Sequence, residues 1–98
     1  MARMRAGIDV APVDATTYRV TVTERGAHST HLVTLDPAYH ARLTGGAVEP
    51  AELIRRSFEF LLEREPKESI LTSFDLPAIT RYFPEYERDI AARVRRPR

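Results

Sequence analysis

Cysteine is missing from this chain. Disulfides and thiolate metal sites are therefore excluded, which suits a reducing compartment, and a cytoplasmic location is expected. Long apolar runs are missing too: none approaches the roughly 20 residues of a membrane-spanning helix. Arg3 and Arg5 stand near the start, but no apolar segment follows them, so a signal peptide is not expected. Internal repeats and low-complexity segments are absent. Neither sign of charge dominates, with 15 Lys and Arg against 14 Asp and Glu, a net +1. What remains is a chain of 98 residues, 43% hydrophobic and 30% charged, enough for one globular domain with a real core and little to spare.

The small net charge hides an uneven distribution. Residues 1–48 carry five Arg against four acids, and residues 49–87 carry five cations against nine acids. Residues 88–98 carry five Arg against Asp89 alone. The central body is acidic and the tail basic. An acidic body argues against a broad nucleic-acid footprint, because phosphate binding needs clustered Lys and Arg.

The organising stretch is Glu49 to Glu65. Leu53, Ile54, Phe58, Leu61 and Leu62 recur at helical spacing, with small Ser57 on the same side. Pro50 suits the first helical position, Glu52 favours the positive helix end, and Pro66 is the stop. Before it, Tyr18, Val20 and Val22 alternate with Arg19, Thr21 and Thr23, the period of a strand. Arg25-Gly26 supplies a turn, so Tyr18 to Leu35 reads as a β-hairpin with Val22 opposite Ser29, Val20 opposite His31 and Tyr18 opposite Val33. Tyr18, Val20, Val22, Val33 and Leu35 then share one face, and Arg19, Thr21, Thr23, Thr30, Leu32 and Thr34 the other. Residues 1–15 are expected to be a flexible leader, since Pro12 interrupts the short apolar pattern of Ile8, Val10 and Val13. Asp36-Pro37 begins a short helix that Gly45 and Gly46 end. Lys67 to Phe74 is expected to form a helical turn presenting Ile70, Leu71 and Phe74 to the core. Asp75 is expected to cap another short helix, with Leu76, Ile79 and Phe83 inward. Tyr86, Ile90 and Val94, spaced by four, mark a last helix. The expected fold is α+β: an N-terminal hairpin packed on three or four helices, the longest about 50–65, with residues 16–94 as the domain and 95–98 as a basic tail.

Three resemblances sharpen this reading. The segments HLVTLDPAYHARL, GG and AELIRRSFEFLLE resemble the ribbon-helix-helix family of DNA-binding regulators. The resemblance implies a dimer whose paired strands enter the major groove, with Thr30, Leu32 and Thr34 facing the bases and Val48 and Glu49 at a backbone phosphate. This chain departs from the pattern at Leu32, which cannot hydrogen-bond to a base edge, and at Glu49, whose carboxylate repels phosphate. The segment LPAITRYFPEYERDI resembles the recognition helix of Tet-repressor-type proteins over fifteen residues, without that motif's preceding helix and tight Gly turn. The block LTGG, ELIRRSFEFLLEREP, SILTSFDL and RYFPEYE resembles a group of short uncharacterised bacterial proteins across roughly residues 30–90, and implies a stand-alone domain.

Chemistry-bearing constellations are few. His28, His31 and His40 are the only histidines, and two of them three apart on a strand point to opposite faces, so no metal is expected. No serine lies in a Gly-x-Ser-x-Gly elbow, and Gly45-Gly46 lacks the Lys of a phosphate loop, so no catalysis, cofactor or small-molecule substrate is expected. Tyr82, Phe83 and Tyr86 around Pro84 are expected to dock the last helix. Two functions follow as expectations. The first is a non-catalytic ribbon-helix-helix-type regulator that binds duplex DNA as a homodimer through Arg19, Thr30, Thr34, Arg93, Arg95 and Arg96. The alternative is a homodimeric protein-interaction module without nucleic-acid binding, anchored by Leu32 and by Phe60, which on its charged helix face is either such an anchor or is buried by the later helices.

Overall fold

The structure is a computed structural model that describes residues 7–95, with Arg95 placed through its backbone. Alternating side chains and one tight turn generate most of its sheet. Strands β1 (Gly7–Pro12), β2 (Thr17–Glu24) and β3 (Ala27–Thr34) form an antiparallel meander, and β4 (Ser73–Asp75) adds in parallel to the far side of β3. The β2–β3 register is the one the turn dictates, with Val22 opposite Ser29, Val20 opposite His31 and Tyr18 opposite Val33. Arg25 and Gly26 both have positive φ, 53° and 81°, the left-handed pair that matches the twist of a two-residue hairpin.

Four α-helices follow among the described residues: α1 (Pro37–Thr44), α2 (Pro50–Leu62), α3 (Ile79–Tyr82) and α4 (Tyr86–Arg95). Helix α1 starts where the Asp36 carboxylate accepts from the Ala38 amide, and ends at left-handed Gly45, whose amide donates to Ala41. Helix α2 packs against β1, α1 and α4, so the helices cover one face of the sheet. Val20, Val22, Val33, Leu53, Ile54 and Phe58 are fully buried between the layers. Each such side chain contributes about 1.5–3 kcal/mol relative to exposure. The α+β expectation is therefore met, with a four-stranded sheet rather than a bare hairpin.

Four local expectations differ from the structure. Residues 7–12 are a strand and not a leader: Ile8 pairs with Val22 and Val10 with Val20. Pro12 is accommodated because it is the last residue of an edge strand, where a missing N–H costs least. The return to β2 is set by Asp14, whose carboxylate accepts from the Thr16 and Thr17 amides. Helix α2 ends at Leu62, before Glu65. Pro66 forces Glu65 out of the helical region, and the Arg64 and Glu65 amides both close onto the Leu61 carbonyl.

The segment after Pro66 makes only a 3-10 turn at Lys67–Ser69 before extending into β4. Leu71 is exposed there, because the backbone is recruited to the β3 edge, where the Leu32 amide donates to the Thr72 carbonyl at 2.8 Å. Asp75 does not cap the next helix with its side chain, which instead accepts from the Thr34 hydroxyl. The last helix follows its spacing, with Tyr86, Ile90 and Val94 buried.

Candidate functional site

The residues nominated for DNA contact lie in two layers. Arg19, Thr30, Leu32 and Thr34 share the outer face of the sheet, with Arg19 directly across from Leu32. Arg93 sits on α4, in the helical layer. Its guanidinium donates to Glu63 and to Asp89, both at 2.6 Å, so it is held by two carboxylates instead of being available to a phosphate. Those carboxylates hold the guanidinium more firmly protonated than usual. Arg95 ends α4, and Arg96 lies outside the described residues.

The ribbon geometry meets a second obstacle. A ribbon-helix-helix strand pairs with its counterpart from another chain, whereas β3 lies between β2 and β4. Over Leu32, Val33 and Thr34 both edges of β3 are paired within this chain. Glu49 stands exposed at the start of α2 and makes no side-chain capping bond.

Of the two readings of Phe60, interface anchor or core beneath the later helices, the structure has the second. It is 0% exposed. The rings of Phe83 and Tyr86 meet it edge-on with centroids 5.9 and 5.3 Å away, and the Arg64 guanidinium lies 3.6 Å above its centroid. Such a cation over a ring contributes on the order of 0.5–2 kcal/mol. Arg64, one of the charged residues near Phe60 in sequence, is thus its lid. Next to it, Tyr86 is buried against Ser57, oxygen to oxygen at 2.6 Å, and Ser57 donates to the Leu53 carbonyl. Burial pushes the Tyr86 hydroxyl well above the ordinary phenol range.

Two of the three histidines are committed to hydrogen bonds within the fold. Buried His31 bridges the Ser29 hydroxyl and the Leu71 carbonyl, each at 2.8 Å, and its ring meets that of Phe58 at a tilt of 56°. His40 reaches the Val48 carbonyl at 2.7 Å. Among the described residues, no three His, Asp or Glu side chains converge as metal ligands.

A small, mostly apolar concave site lies elsewhere, where the end of α2, the strand β4 with its approach, and α3 meet. Buried Leu61, Ile70 and Ile79 form its floor, half-buried Phe74 and Phe83 its walls, and exposed Leu71 and Tyr82 its rim. Its volume is about 170 Å³. That is below the roughly 300–1,000 Å³ of pockets for drug-sized molecules, and suits a single large side chain. His31 helps build it by holding the Leu71 carbonyl. One carboxylate, Glu65, belongs to the lining, and burial raises it above the ordinary carboxylate range.

Nothing in the apolar periodicity pointed to this groove. Three residues of strand are too few to show an alternation, and Leu71 carries the same letter inside or outside a core. The one available signal was Glu65-Pro66, a carboxylate just past a helix whose buried stripe ends four residues earlier, at Leu61. Comparison with family models, curated proteins and solved structures gives no match.

Proposed function

We propose that this domain is a non-catalytic protein-interaction module that receives an apolar side chain from a partner protein's segment in the groove between α2, β4 and α3, without binding nucleic acid. The observation that carries the reading is the groove's rim: Leu71 is 47% and Tyr82 63% exposed beside an apolar floor. Large apolar side chains standing together at the mouth of a concave site are typical of protein-docking surfaces. The size of the groove favours a side chain over a cofactor, and the commitment of Arg93 to Glu63 and Asp89 removes a cation that phosphate binding would need.

The test is an NMR titration of the whole chain with N-acetyl-leucinamide, beside mixed-sequence duplex DNA at low salt. The leucine probe is expected to shift the amides of Leu71, Phe74 and Tyr82 at millimolar concentration, and Leu71→Ser with Tyr82→Ser to remove the shifts while the protein stays folded. DNA is expected to leave the spectrum unchanged. A silent groove, or salt-sensitive shifts by DNA at Arg19 and Thr30, would overturn the proposal.

A further inference from the structure

We infer that the groove selects a partner segment in which the apolar residue is adjacent to an Arg or Lys, whose cation pairs with Glu65. The inference rests on the interaction reading above and adds the chemistry of the partner. Glu65 is exceptional on its stretch of chain. Every other carboxylate from Glu52 to Glu68 has a cation within ion-pair distance: Glu52 and Glu59 through Arg55, Glu63 through Arg93, and Glu68 through Lys67. Among the described residues, none pairs with Glu65.

Its two charged neighbours in sequence are turned away. Arg64 reaches Glu85 at 3.1 Å, donates to the Phe60 carbonyl and lies over the Phe60 ring. Lys67 is almost fully buried against Glu68 at 2.8 Å, with Glu24 at 3.9 Å. Among the described residues no cation supplies the complementary charge, which leaves the Glu65 carboxylate open to one carried by a partner. A carboxylate whose only perturbation is loss of solvent is one that an incoming cation would stabilise. The apolar floor fixes where the side chain enters, and the carboxylate on the lining fixes which neighbour it brings.

The probes are N-acetyl-leucyl-argininamide, its glutaminamide counterpart and its glutamic acid counterpart, titrated against the full chain at low salt and followed at the groove amides. The Arg probe is expected to bind about five- to tenfold more tightly than the Gln probe, and the Glu probe more weakly than either. Glu65→Gln is expected to bring the Arg and Gln probes level. Equal binding of all three to the unaltered protein would overturn the charge selection and leave the apolar groove standing. No groove shift with any of them would overturn the interaction reading and this inference together. A mass that doubles with protein concentration, shifting the same amides, would assign the groove to a second copy and overturn the inference by itself.

Discussion

Ser57 and Tyr86 share a buried bond, but the two residues are not equivalent. Ser57 spends its proton on the Leu53 carbonyl, so the Tyr86 hydroxyl must donate to Ser57. Tyr86→Phe removes a donor and leaves Ser57 still bonded to the helix, at an expected cost of about 1 kcal/mol. Ser57→Ala leaves a fully buried phenol without a partner and is expected to cost about 1–3 kcal/mol. Urea denaturation of the three variants checks the order, and the double variant is expected to cost less than the sum of the two single changes. Equal single costs would mean that the bond is not oriented as drawn. Single residues also show where sequence reading stops. Ser57 sits on the apolar stripe of α2 and was legible as a packing position, yet its bond to Tyr86 depends on a helix 29 residues away. Phe60, on a helix face it shares with Arg56, Glu59, Glu63 and Arg64, becomes core because α4 and the Arg64 guanidinium close over it.

Helices and strands with long regular patterns behave as elementary rules dictate. The hairpin needed only its alternation and its turn, and α1 only its Asp-Pro start and Gly stop, because the information for each is local. The leader that became β1 and the turn that became β4 failed for the opposite reason. Each is defined by the hydrogen-bonding edge of a neighbour, and no pattern of three to six residues reveals an edge.

Helix α2 adds an electrostatic property of its own. Hydrogen bonds from Arg55, and then Arg56, hold the Glu52 carboxyl down at about 2, and a bond from Arg93 likewise lowers Glu63. A carboxylate lowered in the folded state lends stability above its unfolded value near 4.5 and loses it as pH falls toward its folded value. The urea midpoint is expected to hold between pH 7 and about 5.5 and then to fall steadily below about 4.5. Glu52→Gln is expected to start lower at neutral pH and to decline less steeply. A parallel decline in both proteins would show that Glu52 carries no such contribution.

On the scale of the whole molecule, sheet and helices form two layers, and the outer face of the sheet stays polar around Leu32. The order of the strands matters most. Strand β4 is the one parallel member of the sheet, and between it and its partner β3 the chain first builds α1 and α2. It is also only three residues long, held by its pairing with Leu32–Thr34, by the Thr72 carbonyl and by the His31 tether at Leu71. A strand added last, across the longest loop and by the fewest bonds, is the first to come away in local opening. Amide hydrogen exchange should show it: the Leu32 amide is expected to exchange by a lower-energy opening than the amides of β2, which should report global unfolding. Equal protection would place β4 within the global cooperative unit. Because β4 is also one wall of the groove, the same opening would widen the groove mouth without disturbing the core beneath it. Occupancy would then be read out as slowed exchange at Leu32, so a segment that docks there would act as a clasp on the least stable edge of the fold.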